Sequence, residues 1–314
     1  MSASTVRARR SGIAPGHSAA ARFIDPAVLA RIGNLDLVAQ IVVDGFISGL
    51  HQAVHLGVST DFAEHRPYAP GDDVRRIDWR LYARTDRLYV KAFEAETNAN
   101  VVLALDVSRS MSYASAGVTK LDYARFIIAS LVHLAARQRD RIGLVTLDTD
   151  LVNVIPPSAR HRDTIIRALD RVEARGRGDL PGALGRLADR LRRRGIVVVV
   201  SDFYAPPREI VVALDELRVR GHDVVAFHVL DPLEQDLDLP GPQVLEDLET
   251  GERLPVAPAQ LRAAYRRLVA EHIETLEKAC GERRTDYAFF GTEMPLDHML
   301  FRYLSDRVRL ARVR

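Results

Sequence analysis

From residue 100 to residue 231 the sequence alternates short apolar runs with longer amphipathic segments. The apolar runs are rich in β-branched residues and predict buried strands at 100–106, 141–148, 196–202 and 222–230. The segments between them have helical spacing and predict helices at 119–138, 161–174, 180–194 and 207–220. Strands that alternate with helices favour an α/β fold, a mostly parallel Rossmann-like sheet with helices on both faces.

The sequences on either side of this core follow other patterns. Apolar positions at helical spacing begin after Asp25 and Pro26 and predict one helix as far as about Asp44. Residues 46–97 are more polar and contain several turn signals, with a short strand expected near 88–93. Toward the carboxyl terminus the pattern predicts, in order, a β-hairpin within 232–256, a long amphipathic helix at roughly 258–281, a strand at 286–290 and a helix near 297–310.

These changes of pattern divide the chain into four regions. The content of Ser, Ala, Gly and Arg at 1–22 predicts a disordered tail. Residues 23–98 form an N-terminal α+β extension, and residues 99–231 form the alternating core. The hairpin and the helices of residues 232–314 are expected to complete the same domain.

Composition narrows the classes of function. A formal net charge of +2 gives no electrostatic reason to expect binding to nucleic acid. No apolar run reaches the length of a membrane span, and the arginines near the start precede no apolar stretch of the kind that a signal peptide carries. Cys280 is the only cysteine, which excludes an internal disulfide. These features favour a cytoplasmic protein that neither binds nucleic acid nor inserts into a membrane.

The first predicted strand of the core ends in a group of oxygen ligands. Asp106 closes the apolar run, and Ser108 and Ser110 follow at alternate positions. In an open α/β sheet, ligands bind just beyond the carboxyl ends of the strands. Carboxylate and hydroxyl oxygens are hard donors that suit Mg²⁺ or Mn²⁺ and not Zn²⁺. The sequence therefore places a candidate metal site at this strand end.

The Asp-x-Ser-x-Ser pattern at 106–110 resembles the first loop of a metal-ion-dependent adhesion site in von Willebrand factor type A domains. Such a site draws ligands from three loops, and the resemblance implies Asp202 as the ligand from the third. In the second loop, Gly178 stands where a threonine is expected, and Asp179 is the candidate substitute. A site of this kind leaves its ion able to accept a carboxylate from a partner protein.

A second resemblance lies before the core. The signature Arg-x-Tyr-x-x-Gly-Asp-Asp-x-Arg-x-Ile-Asp-Trp at 66–79 is similar to a bacterial family called domain of unknown function fifty-eight, in which it precedes a von Willebrand type A core. The resemblance covers roughly residues 30–231. Within the family, the chain looks like the short members that lack membrane helices. It implies a non-enzymatic adaptor that works with a MoxR-type AAA+ ATPase in protein remodelling or cofactor insertion. Its metal site would engage a carboxylate on the ATPase or on a client protein.

Other interpretations of the same residues stay open. Asp106, Ser108 and Ser110 are also typical of a helix cap that satisfies loop amides, which would make the chain a metal-free, degenerate interaction domain. A metal-dependent hydrolase, a phosphatase or nuclease, could use the same carboxylates. A phosphoaspartate mechanism is disfavoured because Ser108 stands where the second aspartate belongs. A zinc pair at His51 and His55 lacks the glutamate of a metalloprotease helix, since residue 52 is Gln.

Overall fold

A computed structural model describes residues 25–55, 65–67, 89–91 and 99–300 of the chain. We number its elements in chain order. The strands are β1 (His65–Pro67), β2 (Tyr89–Lys91), β3 (Asn100–Asp106), β4 (Arg141–Leu147), β5 (Leu151–Ser158), β6 (Ile196–Ser201), β7 (Asp223–Leu230), β8 (Gln243–Glu246), β9 (Arg253–Val256) and β10 (Asp286–Gly291). The helices are α1 (Pro26–Ala30), α2 (Leu35–His55), α3 (Lys120–Arg137), α4 (Arg162–Asp170), α5 (Leu180–Arg190), α6 (Pro207–Val219), α7 (Pro232–Asp236) and α8 (Pro258–Glu282).

Six strands form the central sheet, in the spatial order β10-β7-β6-β3-β4-β5. All neighbouring pairs are parallel except β4 and β5, which pair antiparallel. Counted along the chain within this sheet, the arrangement is 6-5-4-1-2-3, which is the strand order of a doubly wound α/β fold. The predicted fold class, a mostly parallel sheet with helices on both faces, is therefore confirmed.

Alternate residues of the central strands pack on opposite faces of the sheet, as the pleat of a strand requires. Leu103 and Leu105 of β3 belong to a core shared with α2, α3 and α4. Val102 and Ala104 belong to a second core shared with α5, α6 and α8. Because both faces of β3 are buried, its sequence is a continuous apolar run.

The amino-terminal helical segment differs from its prediction. Asp25 caps α1 as expected, and its carboxylate accepts a hydrogen bond from Ala27 N at 2.8 Å. The single helix expected up to Asp44 is instead two helices, α1 and α2, with a break at Arg31–Asn34. Gly33 has a φ of +64° there, a left-handed conformation that glycine adopts without strain and that an α-helix cannot contain.

Strand β5 was not predicted from the pattern. It contains Pro156 and Pro157, and its residues are mostly partly exposed. Proline cannot donate to a sheet ladder, so it is confined to edge strands, and β5 forms one edge of this sheet. Strand β10 forms the opposite edge by pairing in parallel with β7, which brings residues after 232 into the same sheet as the core.

Several predictions fall outside the described residues. The tail at 1–22, the side chains of His51 and His55, and most of the signature at 66–79 lie there, as does most of the helix expected near 297–310. Within the region before the core, β1 and β2 form a two-stranded antiparallel ladder, and β2 lies where a short strand was expected. None of the helices in the described part of the chain has both the length and the apolar character needed to cross a bilayer.

Candidate functional site

Asp106 and Asp202 follow the carboxyl ends of two adjacent strands. Leu105 of β3 is in register with Val200 of β6, so the polar residues after them are neighbours. The Ser201 hydroxyl donates a 2.6 Å hydrogen bond to Asp106 Oδ2, and Ser108 N donates to Asp106 Oδ1 at 2.9 Å. Both atoms of the Asp106 carboxylate are thus held in place, and the side chain is buried.

The two predicted serine ligands lie on a tight turn that follows Asp106. A 3₁₀ helix at Arg109–Ser112 follows Ser108, and it brings the hydroxyl oxygens of Ser108 and Ser110 to 3.0 Å from each other. Two oxygens at that separation can contact one small ion at the same time. The structure therefore places Asp106, Ser108, Ser110 and Asp202 at one end of the sheet, as the sequence predicted for a common site.

A buried lysine lies in the same cluster. Lys120, the first residue of α3, is fully buried, and its Nζ lies 2.7 Å from both Asp202 Oδ2 and Glu234 Oε1. Burial alone would lower the pKa of Lys120, but the charges of Asp202 and Glu234 and the hydrogen bonds to them raise it above its usual value. Lys120 is therefore a permanent cation beside Asp202.

The second loop explains why a glycine stands where a threonine was expected. Gly178 has a φ of +71°, and a Cβ added to it would lie 2.9 Å from Ser108 Cβ. Gly178 N donates to Asp148 Oδ1 at 2.9 Å, which holds the loop against the end of β4. With this backbone a threonine at position 178 would be both strained and too close to Ser108.

Asp179 has a local structural role. Its carboxylate accepts a hydrogen bond from Gly182 N at 3.1 Å and caps the start of α5. The same carboxylate lies 3.7 Å from Arg186, and its side chain is 53% exposed. The structure therefore does not bring the Asp179 side chain together with the buried carboxylates, although it was a candidate substitute for the threonine.

The electrostatics of the cluster suit a hard divalent ion. Burial raises the pKa of Asp106 to about 6, and the charge of Asp202 adds to this, while hydrogen bonds from Ser201 and Ser108 oppose it. The site thus carries negative charge that its own groups do not fully compensate. Among the described residues, no three Asp, Glu, His or Cys side chains form a metal-holding group by themselves. An ion here would need the serine hydroxyls as ligands.

A glutamate from a distant segment also reaches the cluster. Glu249 lies in the turn between β8 and β9, where it lines the same cavity as Ser110, and its Oε1 would lie 3.1 Å from a Cβ added at position 178. Burial raises the pKa of Glu249 to about 7, and the charges of Asp202 and Asp106 contribute to that shift. The sequence interpretation missed Glu249, since nothing in its local pattern connects a hairpin turn to a strand end much earlier in the chain.

A cavity of about 650 Å³ opens beside Ser110, under the hairpin. Its walls are largely apolar and include Tyr113, Tyr204 and Tyr265. Acidic side chains also line it, and they are Glu234, Glu246, Asp247, Glu249 and Glu252. The cluster is therefore reached through a pocket that combines apolar surface with negative charge.

Comparison with known sequences identifies relatives over most of the chain. Residues 64–275 match the family described as "Protein of unknown function DUF58". An uncharacterized protein of Mycobacterium bovis and one of Mycobacterium tuberculosis are each 32% identical over 255 residues, which covers 79% of this chain and 80% of the relative. An uncharacterized protein of Mycobacterium avium is 36% identical over 132 residues, 40% of this chain and 77% of that protein.

Comparison with solved structures gives more distant likenesses. The conserved hypothetical protein BatB from Bacteroides thetaiotaomicron aligns with a TM-score of 0.47 at 16% identity, covering 67% of this chain and 99% of that one. The SpRpn10 VWA domain aligns with a TM-score of 0.41 at 11% identity, covering 64% of this chain and 94% of that domain.

Proposed function

The chain belongs to the family of proteins of unknown function DUF58, and from this premise and the geometry of the strand ends we propose that it is a non-enzymatic protein-interaction module. In this proposal Mg²⁺ or Mn²⁺ is held at the carboxyl ends of β3 and β6 and binds a carboxylate of a partner protein. The ligand set consists of Asp106, Ser108, Ser110 and Asp202. Asp179 is left out because its carboxylate caps α5.

One observation carries the proposal: two hydroxyl oxygens lie 3.0 Å apart on the turn that follows a buried carboxylate, and two hydrogen bonds fix that carboxylate. A helix cap alone does not explain this arrangement, because Ser108 stands at the N-cap of the 3₁₀ turn without making a side-chain capping bond. The two hydroxyls thus lie within hydrogen-bonding distance of each other, close to Asp106. Neutral oxygen ligands with few carboxylates leave a bound ion with residual positive charge.

The residues of the cluster would contribute two kinds of ligand to a bound ion. Ser108 and Ser110 would supply neutral oxygens, and Asp106 and Asp202 would supply compensating negative charge. Lys120 neutralises part of the charge on Asp202, so it reduces the affinity of the site for a cation. A bound ion would act as a Lewis acid toward an incoming carboxylate, and no nucleophile or general base is needed for that role.

The partner that we propose is a MoxR-type AAA+ ATPase or a client protein of such an ATPase. This assignment rests on the family resemblance and on the chemistry of the site. The cavity beside Ser110 is lined by acidic side chains, which would repel a partner carboxylate in the absence of a cation. Binding of the partner should therefore depend on the divalent ion.

The metal site is tested by titration of the full chain with Mn²⁺ in a calorimeter. We expect one ion to bind, and Ser110→Ala to weaken its affinity by at least about tenfold. Ser112→Ala is the matched control, because Ser112 lies on the same 3₁₀ turn and its hydroxyl donates to Arg109 O. Equal affinities in all three proteins would contradict the ligand assignment.

The interaction is tested by co-purification with a MoxR-type AAA+ ATPase from the same organism. Asp106→Asn keeps the size of the side chain and removes its charge. We expect the wild type to retain the ATPase in Mg²⁺ and to lose it with EDTA, and the variant to lose it in both conditions. Retention of the ATPase by the variant and after chelation would show that the metal is not involved.

Lys120 favours a second candidate, a metal-free interaction domain. Its ammonium group already pairs with Asp202 and Glu234, so an internal cation supplies part of the charge that a metal would supply. The calorimetric titration distinguishes the two proposals. A metal-free domain would bind no Mn²⁺, even at concentrations that saturate ordinary metal sites in proteins.

A further inference from the structure

The cavity beside Ser110 is lined by carboxylates and by no basic side chain that the structure describes. Two of its five acidic residues have a basic partner outside the lining, since Glu234 pairs with Lys120 and Glu246 pairs with Arg253. The other three form no ion pair with any described residue, and they are Asp247, Glu249 and Glu252. The cavity therefore has negative charge that a cationic ligand would compensate.

Two basic side chains lie close to this cavity without neutralising the three unpaired carboxylates. Lys120 is fully buried, and its Nζ lies 4.7 Å from the centroid of the Tyr204 ring. Arg109 Nη1 donates to Leu248 O at 3.4 Å, so its guanidinium contacts a backbone carbonyl of the hairpin turn. The contact of Lys120 with Tyr204 also shows that a tyrosine of the cavity wall accepts an ammonium group.

The hairpin of β8 and β9 adds exposed apolar side chains to the same cavity. Val244 and Leu254 line it, although they are 63% and 62% exposed. Leu245, which pairs with Leu254 across the ladder, lines it as well. Large apolar side chains that remain exposed around a concave surface are typical of a place where a partner binds. The cavity can thus bury apolar groups of a ligand in addition to holding a cationic one.

We propose that the cavity beside Ser110 is a docking site for a segment of a partner protein in which an arginine or a lysine is flanked by apolar residues. The apolar residues pack against the hairpin and the tyrosine rings, and the cationic group pairs with the three unpaired carboxylates. Arginine and lysine suit such a place, because their aliphatic stems cover apolar surface while their charged ends reach an anion. An acidic segment is excluded by repulsion. No metal ion takes part, so this inference does not depend on the proposed metal site.

The first test selects ligands for the wild-type full chain, in EDTA, from a displayed library of random short peptides. We expect the recovered peptides to be enriched in arginine or lysine beside leucine, isoleucine, valine or an aromatic residue, and to be poor in aspartate and glutamate. Recovery of peptides without this enrichment, or of none, would overturn the proposal.

The second test measures the affinity of a recovered, fluorescently labelled peptide by anisotropy, again in EDTA. The double variant Glu249→Gln with Glu252→Gln should bind the peptide at least about tenfold more weakly, because the cationic group loses its counter-charges. The matched control, Glu274→Gln with Glu277→Gln, removes the same charge from exposed positions of α8 outside the cavity and should leave the affinity unchanged. Added salt should weaken binding to the wild type more than binding to the double variant. Equal affinities of the wild type and the double variant would refute the role of the carboxylates.

The apolar part of the docking site is tested with Leu254→Ser. We expect it to weaken peptide binding by at least about fivefold, since the ligand no longer buries the leucine. Val212→Ser on α6 is the control, because Val212 is similarly exposed and lies outside this cavity. Equal losses in both variants would show that the hairpin does not contact the peptide.

A second copy of this chain is the alternative occupant of the cavity. Sedimentation velocity of the wild type should show a monomer, and peptide addition should not change the number of chains per particle. Self-association of the wild type that disappears in Leu254→Ser would assign the cavity to a second copy and overturn the proposal. Since the measurements are made in EDTA, a failure of the metal site would leave all of these results unchanged.

Discussion

Lys120 Nζ lies 2.7 Å from Asp202 Oδ2, and both side chains are almost completely buried. Glu234 of α7 accepts a second hydrogen bond from the same ammonium group. Lys120 therefore connects three parts of the fold: the start of α3, the end of β6, and the short helix after β7. A buried ion pair of this kind contributes little net stability, but removal of one partner leaves an uncompensated charge.

Lys120→Met should destabilise the protein by about 3–5 kcal/mol in EDTA, because Asp202 and Glu234 would remain buried without their cation. The same variant should bind Mn²⁺ more tightly than the wild type, since the competing positive charge is gone. Part of the lost stability should return when Mn²⁺ is added, because the ion binds the folded state only. Denaturant unfolding with and without Mn²⁺ measures both effects.

Lys278→Met is the control for this prediction, since Lys278 is an exposed lysine on α8. It should change the free energy of unfolding by less than about 0.5 kcal/mol and leave Mn²⁺ binding unaltered. An equally small effect of Lys120→Met would mean that the buried ion pair does not determine the charge of the site.

The strand ends could be predicted from the sequence because they follow from local patterns and from topology. Apolar runs identify β3 and β6, and parallel neighbours must place Asp106 beside Ser201 and Asp202. The serine spacing after β3 is likewise a local feature. Such features do not depend on where distant segments pack.

Lys120 and Glu249 could not be placed in the same way, because each reaches the site from a segment whose position is set by tertiary packing. One signal for Lys120 was present: lysine occurs in this arginine-rich chain only at positions 91, 120 and 278. Of these, Lys120 lies near the start of the predicted helix that follows the candidate site. For Glu249 the sequence contains no comparable signal.

Gly178→Thr, which restores the residue expected for an adhesion site, should not strengthen metal binding. The φ of +71° costs about 1–3 kcal/mol for a β-branched residue, and the new Cβ would crowd Ser108 Cβ at 2.9 Å. The variant should also displace Glu249, whose Oε1 would lie 3.1 Å from that Cβ. Thermal unfolding and Mn²⁺ calorimetry check the two consequences.

Gly117→Thr separates backbone strain from crowding. Gly117 has a φ of +84°, but a Cβ there would meet nothing within 4 Å. We expect Gly178→Thr to lose more stability than Gly117→Thr, and only the former to affect Mn²⁺ binding. Tighter Mn²⁺ binding by Gly178→Thr without loss of stability would contradict the geometry described for the second loop.

Asp231→Ala should be among the more destabilising single changes near the site. The buried Asp231 carboxylate accepts hydrogen bonds from Ser115 N and Leu233 N, each at 2.8 Å, and so joins α7 to the loop before α3. Loss of a cap and of hydrogen bonds to a buried charge should cost about 3 kcal/mol. Asp25→Ala, an exposed cap with one such bond, should cost about 1 kcal/mol or less in the same denaturation assay.

The burial of His228 should make the free energy of unfolding depend on pH. The ring is fully buried on β7 and lies 2.6 Å from the Tyr287 hydroxyl through Nδ1. Burial lowers the pKa of His228 to about 3, and the neighbouring His272 and Lys120 lower it further. The unfolded chain takes up a proton near the ordinary value of 6.5, so between these two values the unfolded state binds more protons than the native state.

Stability should therefore fall as the pH is lowered below 6.5, and His228 alone should account for about 2 kcal/mol between pH 8 and pH 5. His228→Gln, which keeps a polar partner for Tyr287, should remove this part of the slope even if it lowers stability at pH 8. The raised pKa of Asp106 acts in the opposite direction, because its folded form holds a proton more readily, and it is common to both proteins. Urea unfolding of both at pH 8 and pH 5 isolates the histidine, and equal slopes would show that His228 is protonated in the native state near its ordinary pKa.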